Sequence, residues 1–164
     1  MKNQQYNKPT IISHRGNLNG PTNNLTENKP ETIEHVLSLG FDCEVDVRMI
    51  NGVLWLGHDR PEFLTDQSFL TQKGLWLHAK NIEVLEFFST TQEFKNCNFF
   101  WHQDDHYTLC SQGEIWTYPG RPLVSNSIMV LPEQTVFNYQ KSDIVQVKGV
   151  CTDWPFYYQK ILNS

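Results

Sequence analysis

The stretch FDCEVDVRMINGVLWLGHD, residues 41–59, decides the fold. It opens with strict alternation: Phe41, Cys43, Val45 and Val47 are apolar, while Asp42, Glu44, Asp46 and Arg48 are charged. A period of two predicts a strand with one buried face. Glu44 and Asp46 then project from the same face two residues apart. Their repulsion costs stability unless a cation or a basic cluster sits between them. Asn51-Gly52 is a hairpin turn signal, and Val53-Leu54-Trp55-Leu56 returns the chain to Gly57-His58-Asp59. One unit therefore presents two carboxylates and a histidine. The competing reading is a strand whose charges face solvent.

Upstream, Ile11-Ile12-Ser13-His14-Arg15-Gly16 runs from apolar residues into polar groups and a glycine. Buried parallel strands deliver functional residues at their carboxyl ends in this way. Residues 17–29 are rich in Asn, Gly, Pro and Thr and read as loop. Asn28 is the expected N-cap of a helix with Pro30 in its first turn, Glu31 three residues on, and a stripe of Ile33, Val36 and Leu37 closed by Gly40. Downstream, residues 66–70 suit one helical turn and residues 75–80 a strand. Asn81 suits the cap of a helix with Ile82, Leu85 and Phe88 on one face. Residues 98–101 form a further strand. Short apolar pieces follow at 107–109, 115–118, 123–124, 128–131, 144–147 and 149–151, then a short closing helix or tail at 156–162. Strands and helices alternate in the first half, whereas the second leaves little room for helices. A barrel stripped of several outer helices reconciles the halves; a small open sheet is the alternative.

With 164 residues the chain reads as a polar lead-in (1–10) followed by a single domain (11–164). Its 13 Lys and Arg against 18 Asp and Glu give a charge of -5 and no basic stripe, which disfavours nucleic acid. Cys43, Cys97, Cys110 and Cys151 show no CxxC spacing, so neither a zinc knuckle nor a redox pair is signalled. Cys43 and Cys151 suit small core positions. No signal-peptide core or membrane-length apolar run is present, so a cytosolic protein without a membrane partner is expected. Aromatic residues make up 13% of the chain and suit a fold that fills space with rings.

Taken together, these parts resemble the glycerophosphodiester phosphodiesterase family. They are His14-Arg15-Gly16, Glu27-Asn28 with Pro30-Glu31-Thr32, Gly40 ahead of Glu44-x-Asp46, Asn51-Gly52, His58-Asp59 and Lys80. Gly149-Val150-Cys151-Thr152-Asp153-Trp154-Pro155 looks like the family's last strand and its Asp-x-Pro turn. The match is dense over 11–59, present at 75–80, thin over 81–148 and recovered at 149–155. The joint order and spacing carry the resemblance, since each element alone is weak.

The resemblance implies a reduced (β/α)8 TIM-type barrel and hydrolysis of a small soluble phosphodiester to a phosphomonoester and an alcohol. It implies a divalent metal ion, Mg2+ first, with Mn2+, Ca2+ or Zn2+ as the others. His14 and His58 take the acid–base roles, with acid and base unassigned between them. Glu44 and Asp46 bind the metal, and Arg15 and Lys80 contact phosphate. Asp59, Asp153 and Trp154 are candidate supports. One departure stands out: the family's third metal ligand is a Glu two residues before the lysine, and here that place is His78. An imidazole is softer and removes one negative charge, which shifts the expectation away from Ca2+ towards weaker Mg2+ binding or a transition ion.

The residue types make chemical sense without the family. A cation beside two carboxylates neutralises phosphate oxygens, Arg forks onto phosphate and Lys adds a point charge, and two histidines move protons. His102 and His106 lie near Asp104 and Asp105 but lack metal-ligand spacing, so a solvated loop is expected there. Two other readings compete. One is a catalytically weak relative that binds a phosphorylated ligand or protein partner; the other is an unrelated small structural α/β protein.

Overall fold

The structure, a computed structural model, describes residues 8–22 and 26–164. Most of the lead-in and the middle of the 17–29 loop lie outside the described residues. In chain order the elements are β1 (Thr10–His14), α1 (Pro30–Ser38), β2 (Asp42–Ile50), β3 (Val53–Leu56), β4 (Phe63–Leu64), α2 (Gln67–Leu70), β5 (Leu75–Ala79), α3 (Ile82–Thr90), β6 (Asn98–Trp101), β7 (Tyr107–Leu109), β8 (Ile115–Thr117), β9 (Ser127–Val130), α4 (Lys141–Ile144), β10 (Gly149–Thr152) and α5 (Pro155–Asn163).

The alternating stretch forms the strand it predicts. Asn51 and Gly52, at φ 51° and 76°, make the turn that pairs β2 with β3 in antiparallel register. One expectation changes: both faces of β2 are buried. Cys43, Val45 and Val47 pack with α1 and α3 residues such as Ile33, Val36, Val84 and Phe88, while Glu44 and Asp46 face the sheet's other side, 1% and 0% exposed. This is how a parallel sheet covered on both sides treats its strands.

Seven strands run parallel in the order β6-β5-β2-β1-β10-β9-β8. β7 adds antiparallel to β8 at one edge, and β3 and β4 extend antiparallel from the far end of β2. The sheet curls, but it is not the closed barrel expected from the sequence. Among the described residues no ladder joins β6 to β7. Single bonds cross that seam: Ser111 N–H donates to Phe99 O at 2.9 Å, and Thr108 Oγ1 donates to Trp101 O at 2.8 Å. β7 is three residues long, too short to carry a full ladder to both neighbours.

The helices are few, as expected. α1, α3 and α5 have nine residues each, whereas α2 and α4 have four. No helix separates β8 from β9, where Pro119-Gly120-Arg121-Pro122 occupies the connection. Residues 144–147 are not a strand: Ile144 ends α4 and is buried there. Among the described residues no helix is long and apolar enough to cross a membrane.

Inside the curl, aromatic rings do the filling. His78 stacks on Phe100 at 4.9 Å between centroids, Phe100 on Trp116 at 4.3 Å, and Trp116 meets Trp76 at 6.1 Å. Ile12, Ile128, Val130 and Cys151 complete this inner cluster. A TIM-type barrel normally fills its interior with layered branched side chains; flat rings occupy a comparable space with fewer strands' worth of residues. The four cysteines are free, and Cys43, Cys110 and Cys151 are buried.

Candidate active site

Register alone brings the charged residues together. β1 and β2 pair so that His14 lies opposite Glu44, and β2 and β5 pair so that Asp46 lies opposite His78. All sit towards the carboxyl ends of parallel strands, where such sheets place their ligands.

Glu44, Asp46 and His78 each offer one ligand atom, and these atoms lie within 4.8 Å of one another. His78 Nδ1 is 3.0 Å from Asp46 Oδ1 and 3.6 Å from Glu44 Oε1. Its Nε2 lies 3.2 Å from the carbonyl of His102, the kind of backbone partner that fixes a ligating histidine's orientation. Burial alone would lower the His78 pKa, but the neighbouring Asp46 and Glu44 carboxylates push it up to about 9. Lys80 Nζ stands 3.5 Å from Asp46 Oδ1 and Arg15 Nε stands 3.1 Å from Asp46 Oδ2. Burial would raise the Asp46 carboxyl, yet His78, Arg15 and Lys80 hold it well below the usual carboxylate range.

The donor set fits a divalent cation. Asp46 Oδ1 is fully buried, and neither His78 Nδ1 nor Lys80 Nζ is aligned to give it a full hydrogen bond. A cation at the centre of the cluster would satisfy that orphaned oxygen. The other face of Asp46 is closed by Asn28, which donates Nδ2–H to Oδ2 at 2.9 Å and accepts the Asp46 N–H at 2.8 Å. This double contact explains why Asn28 is not the N-cap expected from the sequence. It sits at φ 58° with its amide turned to Asp46, and Lys29 becomes the cap. Asn tolerates the left-handed region that most residues avoid.

Each of the two histidines has a carboxylate partner, His14 in a more buried setting and His58 in a more exposed one. His14 Nδ1 is 2.8 Å from Asp153 Oδ1, and His58 Nδ1 is 2.7 Å from Asp59 Oδ1. Burial would lower the His14 pKa, but the Asp153 hydrogen bond and the Glu44 charge raise it above its ordinary value. Burial likewise raises Asp153, while His14 and Asn17 bring it below the usual range. The His58 loop is held by Arg48, whose guanidinium donates to the carbonyls of both Gly57 and His58.

A cavity of about 360 Å³ takes in His14, Arg15, Glu44, His58, His78 and Lys80. Its remaining wall includes Trp101, His102, Trp116, Tyr118 and Leu131. Asp153 lies behind His14 and Asp59 beside His58. Trp154, expected as a support, does not line this cavity. Its indole packs over Gly20, where an added Cβ would meet Trp154 Cζ2 at 2.6 Å.

Several participants escaped the sequence reading. Glu27, read only as part of a helix start, accepts from Asn17 Nδ2 at 2.9 Å and contacts Arg15 Nη1 at 3.4 Å. Asn17 also donates to Asp153 Oδ1 at 2.9 Å. Glu133 Oε1 accepts from Thr152 Oγ1 and from the Asp153 N–H, both at 2.8 Å, and so braces the turn that carries Asp153. Asn17 and Glu27 lie in a loop and Glu133 in a single 3-10 turn, Pro132–Gln134, none with a periodicity that would signal its role. The 102–106 stretch forms no metal cluster among the described residues. His102 stands 3.6 Å from Asp105 Oδ2, and Asp104, Asp105 and His106 are exposed.

No family model matches the chain, and no curated protein matches it. Its fold is similar to the crystal structure of a "putative glycerophosphodiester phosphodiesterase" from Galdieria sulphuraria. The TM-score is 0.52 at 14% identity, over 95% of this chain and 98% of that one. The likeness is one of fold: an α/β chain with a curled, largely parallel sheet.

Proposed function

We propose that this protein is a metal-dependent phosphodiesterase, a reduced TIM-type member of the glycerophosphodiester phosphodiesterase group acting in the cytosol on a small soluble diester. The observation that carries the reading is the convergence of two carboxylate-backed histidines, one acidic ligand cluster and two cations on a single cavity. Each feature alone has a structural explanation. Together they match what cleavage of a phosphodiester needs.

Arg15 and Lys80 bind the substrate's phosphate, the first by N–H groups in a fixed plane, the second as a point charge. Glu44, Asp46 and His78 hold a divalent ion, Mg2+ being the first expectation. When bound there, the ion supplies charge neutralisation at the non-bridging oxygens and helps orient the attacking oxygen. Without the ion, His78, Arg15 and Lys80 face Glu27, Glu44 and Asp46, so a divalent ion that replaces the His78 proton would add positive charge for an anionic diester. His14 and His58 each hold Nδ1 against a carboxylate, which leaves Nε2 to exchange protons with substrate. One imidazole accepts a proton from the attacking oxygen, and the other donates one to the departing alkoxide. A hydroxyl next to the ester can be the attacking group, giving a cyclic phosphate first.

One observation favours a second reading. His78, Lys80 and Arg15 together already face both carboxylates, so a phosphorylated ligand could be held without turnover. A single experiment separates the two. Phosphomonoester release is measured from a panel of glycerophosphodiesters and an aryl phosphodiester, metal-free and with Mg2+, Mn2+, Ca2+ or Zn2+, for wild type and Glu44→Gln. Metal-dependent release that Glu44→Gln abolishes is expected. Folded protein that binds diesters saturably but releases nothing with any metal supports the binding reading.

A further inference from the structure

Away from the cavity just described, a second hollow of about 450 Å³ lies against α5. Its lining includes Glu133, Phe137, Tyr139, Trp154, Tyr157 and Tyr158, and no Lys, Arg or His. Five rings and one carboxylate is an unusual lining for a surface depression. Trp154, Tyr157 and Phe137 are 43%, 58% and 57% exposed, a cost in apolar hydration that surfaces seldom concentrate in one place.

The rings are held rather than loosely displayed. Gly20, at φ +106°, passes directly beneath the Trp154 indole, and its N–H donates to Asp153 O at 2.8 Å. The Trp154 N–H is bonded to Thr152 Oγ1 at 3.0 Å. Tyr157 meets Tyr158 edge-on, with centroids 5.2 Å apart at 89°, and Phe137 meets Tyr139 at 6.1 Å. Glu133 is fixed by its bonds to Thr152 and the Asp153 N–H.

The chemistry selects among ligands. Ring faces carry negative quadrupole potential and attract cations, and the one charge in the lining has the same sign. An anion is repelled by both, and a neutral apolar molecule gains nothing from the carboxylate's charge. A strongly hydrated metal ion gains little from rings. We propose that this hollow binds a small organic cation of the alkylammonium class, seated against Trp154 and Tyr157 with Glu133 as its counter-ion. The site is separate from the candidate active site and does not depend on the reaction proposed for it.

The test follows the Trp154 indole N–H by NMR, with its resonance identified by its loss in Trp154→Phe. Choline and tetramethylammonium are titrated against 3,3-dimethyl-1-butanol, the neutral carbon isostere of choline, at constant ionic strength. Saturable shifts with both cations are expected, with the isostere weaker by roughly tenfold. Tyr157→Ala and Glu133→Gln should each weaken binding several-fold. Tyr157 is exposed, and Gln keeps the oxygen that accepts from Thr152 and Asp153, so both variants retain the fold. Equal binding of the isostere, no saturable shift with either cation, or unchanged affinity in both variants overturns the proposal. Displacement of the cation by Mg2+ also overturns it, because the cation would then sit at the Glu44–Asp46 cluster.

Discussion

The contact that most favours the protonated form of His14 is the 2.8 Å hydrogen bond to Asp153. Burial works against the imidazolium, and Asp153 with Glu44 outweighs it, so the folded-state pKa lies above 6.5. The stability this pair contributes is therefore complete below pH 6.5 and is lost as pH rises through the raised His14 value. In Asp153→Asn the His14 ring should titrate at lower pH than in wild type by NMR, and the unfolding free energy should change less over that same pH window. An unmoved midpoint would show that the contact does not set the proton. His14, Glu44, Asp46 and Lys80 were legible in the sequence because each follows or punctuates an apolar run at a strand's carboxyl end. The contacts of Asn17, Glu27 and Asn28 were not, although Glu27-Asn28 belongs to the motif, because they run across 10 to 136 residues of sequence. Trp154 packs on Gly20 instead of lining the cavity, because adjacency to Asp153 does not place its ring on the same side of the chain.

The β2–β3 hairpin carries the acids outward and His58 back, and its return ends at a demanding backbone position. Gly57 has φ +144°, and a Cβ there would sit 2.1 Å from Arg60 O, a contact that only backbone movement relieves. Gly57→Ala should lower the unfolding free energy by about 1–3 kcal/mol, read as a drop in the urea midpoint. It should also reduce turnover, because the displaced loop carries His58. An unchanged midpoint would mean that the loop gives way freely. This element was legible almost residue by residue, since a two-residue period and an Asn-Gly turn are local signals. The burial of its charged face was not, because that depends on how the whole sheet curls around it. The 144–147 segment was equally opaque. Four apolar-rich residues suit either period, and the decision came from upstream, where Gln140 and Asp143 form a capping box.

At the scale of the whole molecule, a curled sheet gathers groups from β1, β2, β5 and the turn after β10 to one end. Few outer helices are needed for this, because the interior is sealed by the His78–Phe100–Trp116 stack. That economy was readable in the sequence as short spacings between strands and a high aromatic content. The open β6–β7 seam was not, since closure of a sheet rests on pairing between distant short strands. The open, curled sheet is nonetheless sufficient to present two histidines, an acidic cluster and two cations at one cavity, and the proposed hydrolysis requires that they act together. The most direct measurement is the kcat for phosphomonoester release by His14→Ala against wild type, at saturating metal and with folding checked. A fall of about 10²- to 10⁴-fold with little change in KM is predicted. Turnover within about twofold of wild type would contradict acid–base catalysis at this site.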